Sequence, residues 1–75
     1  MIVRFIDLFC GTGGIRLGME MAFHEKGYDT SCIKSAEIDI KAAETYFLNF
    51  GDDSLFDVRD INDLEPFDVL LAGLS

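Results

Sequence analysis

The chain has 75 residues, 49% hydrophobic and 27% charged, a globular composition that suffices for one small domain at most. Its two cysteines exclude a disulfide-rich scaffold, no apolar run approaches the ~20 residues of a membrane helix, and no signal-peptide pattern opens the sequence. Six Lys and Arg against fourteen Asp and Glu give a formal net charge of −8, so this segment carries no DNA-gripping basic surface and no polybasic membrane patch, and a soluble, reducing compartment is the expectation.

Residues 2–9 are mostly apolar and read as a strand buried on both faces, the parallel-sheet pattern. The run stops in Gly11-Thr12-Gly13-Gly14. Ile15, Gly18, Met19, Ala22 and Phe23 then recur at three- and four-residue spacing, one face of a helix that Gly27 ends. Residues 30–38 form a second, weaker strand. A second helical stripe follows in Ile40, Ala43, Phe47 and Phe50, closed by Gly51. The Phe and Met residues of both stripes are expected in the core. Residues 52–66 read as an acidic, solvated loop with a short strand at 55–57, and residues 68–72 as a last buried strand. Strands alternating with helices predict parallel βαβ units with right-handed crossovers, the first half of an open, doubly wound α/β sheet.

A glycine-rich turn between a strand and a helix fits two roles. It is either a tight turn or a cradle in which backbone N–H groups and the helix start face a nucleotide-like cofactor. Glu37 closes the second strand near the ~20-residue offset at which an acid accepts ribose hydroxyls. Asp60, after the short third strand, is placed to accept from an exocyclic amine, with Ile61 packing on the ring. The dinucleotide fingerprint would need a glycine where Arg16 stands, and Asp7 interrupts a strand that is usually apolar there. Both departures favour a methyl donor, which has no pyrophosphate, over a nicotinamide dinucleotide. Cys10 is read as a small packing residue, Cys32 as core, and His24 as a surface or helix-end residue with no metal partners beside it.

Phe5-Ile6-Asp7-Leu8-Phe9-Cys10-Gly11-Thr12-Gly13-Gly14-Ile15-Arg16-Leu17-Gly18 resembles the first conserved motif of the DNA (cytosine-5) methyltransferases. Glu37-Ile38-Asp39 resembles the second motif, Asp60-Ile61 the third, and Asp68-Val69-Leu70-Leu71-Ala72-Gly73 the strand leading into the fourth. The resemblance runs in the family's order over essentially the whole chain. It implies a Rossmann-like, S-adenosylmethionine-dependent methyltransferase fold, here incomplete, with the cofactor S-adenosylmethionine. Phe9 would pack beside the adenine or the sulfonium, and the backbone of Cys10, Gly11, Thr12, Gly13 and Gly14 would hold the amino-acid end. Glu37 would take the ribose hydroxyls, Ile38 would stack beside the adenine, Asp60 would accept from its amine and Ile61 would cover the ring. Asp7 would organise the turn or hold the donor's ammonium.

The family's nucleophile is the cysteine of a Pro-Cys-Gln motif directly after the last strand, and Ser75 stands where the proline usually sits. The thiolate adds to C6 of a flipped-out cytosine and the methyl group goes to C5. The expectation is therefore that residues 1–75 are the N-terminal cofactor-binding portion of a catalytic domain, as a fragment or a split subunit. They would carry no catalytic residue and no target-recognition domain, and would be inactive alone. DNA would be reached only through other segments, in the cytoplasm of a bacterium or from a phage gene, within a restriction–modification system. The final strand, short of neighbours, would promote self-association or pairing with a complementary C-terminal subunit. The rival readings are a noncatalytic α/β interaction module and a dinucleotide-binding half-domain.

Overall fold

Strands and helices alternate as the apolar patterning requires. The structure, a computed structural model, describes residues 1–62 and 64–73. Its elements are β1 (Ile2–Leu8), α1 (Gly14–Glu25), β2 (Asp29–Ala36), α2 (Ile40–Phe50), a 3-10 turn (Val58–Asp60) and β3 (Val69–Ala72). Among the described residues the three strands form one parallel sheet in the order β2-β1-β3. This is the α/β, Rossmann-like half-sheet that the sequence predicts. One bulge interrupts the β1–β2 ladder: Phe5 pairs with Cys32 and Ile6 with Lys34, leaving Ile33 as an extra residue.

The element ends have local causes. β1 stops at Leu8 because Phe9 turns into the left-handed region at φ 51. Asp39 caps α2, its Oδ1 accepting from the N–H groups of Lys41 and Ala42 at 3.0 and 3.2 Å. Gly51 ends the same helix at φ 76, donating its N–H to the Phe47 carbonyl. The strand expected at 55–57 shrinks to a single parallel bridge between Glu37 and Leu55. It goes no further because Asp57 caps the 3-10 turn, its Oδ1 accepting from the Arg59 N–H at 2.9 Å.

The core differs from the apolar stripes. In β1, Val3, Phe5 and Asp7 are buried on the face covered by both helices, and Ile6 is buried on the other. The residue that α1 buries is Arg16, not the stripe: Ile15 is exposed and Met19 and Phe23 only half-buried. The residues that α2 buries are Ala43 and Tyr46, while Ile40 and Phe47 are exposed. The Arg16 guanidinium lies 5.2, 5.6 and 4.4 Å from the ring centres of Phe5, Tyr46 and Phe50. Its Nε donates to Glu20 at 2.7 Å, and its Nη1 donates to Asp52 at 2.5 Å and to the Tyr46 hydroxyl at 2.9 Å. Asp52 therefore does more than belong to a solvated loop. Burial works against the Arg16 charge, but the bonds to Asp52, Tyr46 and Glu20 outweigh it and the group stays protonated.

β3 is not buried on both faces as its apolar sequence suggests. Val69 and Leu71 are half-buried, whereas Leu70, on the face the helices leave bare, is 55% exposed.

The Tyr46 hydroxyl accepts from Arg16 and donates to Asp7 Oδ2 at 2.9 Å, so one oxygen joins β1, α1 and α2. Tyr46→Phe leaves a buried carboxylate and a buried guanidinium each short of a partner. The expected cost is about 1–3 kcal/mol, read by urea unfolding followed by circular dichroism; an unchanged midpoint would show that water replaces the hydroxyl without loss.

Candidate functional site

The turn after β1 is held from three sides. The Cys10 N–H donates to the Ala36 carbonyl at 3.1 Å, tying the turn to the end of β2. The Gly13 N–H closes back on the Cys10 carbonyl at 2.9 Å. Glu37 Oε1 accepts from the Gly11 N–H at 2.8 Å, while its Oε2 accepts from the Asp39 N–H at 3.0 Å. The turn and the acid that the sequence pairs are thus in direct contact. Gly13 caps α1 at φ 97 without a side chain, and a Cβ there would stand 2.1 Å from Phe50 Cε2. Gly73 is constrained in another way, since a Cβ on it would meet the Phe9 carbonyl oxygen at 2.5 Å.

In front of Glu37 lies a cleft of about 230 Å³ lined by Phe9, Ala36, Glu37, Ile38, Phe56, Asp57, Val58 and Arg59. Phe9 is 49% and Ile38 70% exposed, so apolar walls flank a carboxylate, the mixture a nucleoside needs. Phe9, Glu37 and Ile38 are therefore brought together, with Gly11 bonded to Glu37, while Cys10 is buried and does not line the cleft. Thr12, Gly13 and Gly14 line a neighbouring hollow of about 390 Å³ with Leu17, Asn49 and Phe50. There Asn49 Nδ2 donates to the Thr12 carbonyl at 3.3 Å.

Three expected site residues lie elsewhere. Asp7 is 1% exposed and bonded to Tyr46, beneath the turn rather than at its surface. Asp60 is exposed and Ile61 half-buried at the far end of the 3-10 turn, and neither lines the cleft. The Asp that does line it is Asp57, followed by Val58. The two pairs, Asp57-Val58 and Asp60-Ile61, have the same chemistry three residues apart, and the Glu37–Leu55 bridge together with the Asp57-capped turn brings the first of them to the cleft. Ser75 lies outside the described residues.

Protonation states follow from surroundings. Burial pushes the Cys10 thiol up, and burial pushes the Cys32 thiol up to about 11, so both are unreactive thiols at neutral pH. His24 Nε2 lies 3.0 Å from Thr30 Oγ1, whose hydroxyl donates to Glu20. Since that proton is committed, Nε2 carries the hydrogen of this contact. The Asp57 carboxylate is held down to about 2 by its hydrogen bonds to Arg59. Asp7 goes the other way: burial raises it above 3.8, against the opposing effects of Tyr46 and Arg16.

A three-strand parallel sheet with two helices, whose first turn meets the acid at the end of the second strand, is the arrangement of the first half of a Rossmann-like methyltransferase fold. The family model for C-5 cytosine-specific DNA methylases matches residues 3–74; the chain belongs to that family. It is 51% identical over 72 residues to the type II methyltransferase M.HgiCI of Herpetosiphon aurantiacus, covering 96% of this chain and 17% of the relative. It is 48% identical over 73 residues to M.BanI of Aneurinibacillus aneurinilyticus, covering 97% and 17%. It is 40% identical over 73 residues to M.HhaI of Haemophilus parahaemolyticus, covering 95% and 20%. The chain thus spans a sixth to a fifth of the length of these relatives. Among the described residues no helix is long and apolar enough to cross a membrane.

Asp7→Asn keeps an oxygen for the Tyr46 hydroxyl and removes the charge. An acid raised in the folded state contributes stability fully below its unfolded value near 3.8 and loses it as pH rises through the folded value. The variant is therefore expected to be more stable than the parent at neutral pH, with the gap closing as pH falls toward 4. Urea midpoints across that range check this; a gap independent of pH would mean that Asp7 is not raised.

Proposed function

We propose that this chain is the S-adenosylmethionine-binding part of a DNA cytosine-5 methyltransferase acting in a type II restriction–modification system. The observation that carries the reading is the Glu37–Gly11 bond at 2.8 Å at the mouth of a cleft walled by Phe9 and Ile38. Each Glu37 oxygen accepts one backbone N–H and keeps a lone pair, which suits two ribose hydroxyls. Phe9, Ile38 and Phe56 supply apolar surface for the adenine. Asp57 accepts from the adenine amine and Val58 covers the ring, the roles that the sequence reading gives to Asp60 and Ile61. The backbone from Cys10 to Gly14 faces the amino-acid end. Asp7 supports the turn from beneath through Tyr46 and Arg16.

When bound, S-adenosylmethionine supplies an electrophilic methyl group on its sulfonium. The protein residues here bind and orient it. Neither Cys10 nor Cys32 serves as the family's thiolate, since burial keeps both protonated. Methyl transfer, base extrusion and DNA contact are assigned to other segments, in keeping with the net charge of −8. The setting is the bacterial or phage-infected cytoplasm, and residues 1–75 form the N-terminal portion of the catalytic domain.

Calorimetric titration tests the reading. S-adenosylmethionine or its demethylated product should bind more tightly than NAD, and Glu37→Ala should weaken that binding by about 1–3 kcal/mol. The same preparation should transfer no tritiated methyl to mixed-sequence DNA. Equal binding of NAD, or indifference to Glu37→Ala, would remove the cofactor assignment.

The reading extends to association. β3 pairs with β1 and carries exposed Leu70, and an open edge beside apolar surface recruits another strand. The chain on its own should self-associate in sedimentation velocity as concentration rises; a monomer at every concentration would show the edge to be inert.

A further inference from the structure

We propose that Arg59 competes with a bound nucleoside for Asp57, and so sets the affinity of the cleft and its preference for an amino-bearing base; the inference rests on the cofactor reading above. The Asp57 carboxylate lines the cleft but is already engaged from within. Its Oδ1 accepts from the Arg59 backbone N–H at 2.9 Å and from Arg59 Nε at 3.1 Å, and its Oδ2 accepts from Arg59 Nε at 3.1 Å and Nη2 at 2.5 Å. A carboxylate has about four acceptor positions, and three N–H groups of one residue two positions along the chain (the backbone N–H, Nε–H shared between both oxygens, and Nη2–H) take most of them.

A base amine therefore competes for Asp57 with a guanidinium that already spans both of its oxygens. The competitor is displaceable, because the Arg59 side chain is 85% exposed and keeps its hydration when it swings away. Exposed ion pairs of this kind are weak and screened by salt. Lys34 lies 3.6 Å from the Phe56 ring centre and is held by the ring rather than by Asp57. The backbone N–H of residue 59 stays in place when its side chain is removed, so Arg59→Ala frees the outer acceptor positions without dismantling the 3-10 turn.

The experiment compares the parent chain and Arg59→Ala by calorimetry, with circular dichroism confirming that both fold alike. The ligands are adenosine, purine riboside (adenosine without its 6-amino group) and S-adenosylhomocysteine. Arg59→Ala should bind adenosine up to about fivefold more tightly, the scale of an exposed ion pair, and purine riboside unchanged. Raising the salt should strengthen adenosine binding to the parent and leave the variant flat. Weaker binding of both nucleosides by Arg59→Ala would mean that Arg59 stacks on the base, and equal binding that it is a bystander; either result overturns the inference while leaving the site intact. Failure of both proteins to bind S-adenosylhomocysteine would remove the cofactor reading and this inference with it.

Discussion

A single buried cation organises this small domain. Arg16 is reached by β1 through Phe5, by α2 through Tyr46 and Phe50, by its own helix through Glu20, and by the chain after α2 through Asp52. A chain of this size buries only about 60% of its unfolded surface, so a purely apolar core has little to work with. A guanidinium suits the shortage: its flat faces stack on rings while its edge satisfies carboxylates in the plane. Burying it alone would be costly. Surrounded by its acceptors, it ties both helices and the segment after the second to the sheet.

The site inherits that rigidity. The glycine turn has β1 before it and α1 after it, and these carry Asp7 and Arg16, the two ends of the bridge through Tyr46. Phe50, tilted against Tyr46 with ring centres 4.8 Å apart, presses against the turn at Gly13. The turn is therefore clamped from below by charge and from the side by an aromatic ring. Its upper surface, where Gly11 meets Glu37, is the side on which the proposed cofactor would sit. Preorganisation of this kind lowers the ordering cost of binding.

The sequence was legible where local geometry alone decides. A glycine turn between a strand and a helix, an acid at the next strand end, and Gly51 after a helical stripe are each fixed by neighbouring residues, and the structure has them in place. Arg16 was illegible because periodicity counts apolar residues, and a charged residue one step off the stripe is assigned to solvent. Its partners, Tyr46 and Asp52, are separated from it by 30 and 36 residues, beyond any local pattern. Asp57 and Asp60 were interchangeable on paper, since each precedes a β-branched residue in an acidic loop. A long-range bridge together with the Asp57-capped turn fixes the register. β3 misled for a third reason: an apolar strand states what it would bury against, not whether that cover is present.

The extra residue in β2 bears on the charge around the site. Were the ladder unbroken, Ile33 would pair with Ile6 and Lys34 would fall opposite Asp7, on the face of Tyr46 and Arg16. A second cation would then enter a cluster already centred on one, and Asp7 would trade its hydroxyl partner for an ammonium. Every later residue of β2 would also slide one position, about 3.3 Å, and its side chain would change faces, turning Glu37 to the other side of the sheet. With Ile33 looped out, Ser35 stands beside Asp7, Lys34 turns to Phe56, and the acid arrives level with the turn. The irregularity is a spacer: it sets the length of β2 and sorts its one lysine to the far side of the sheet.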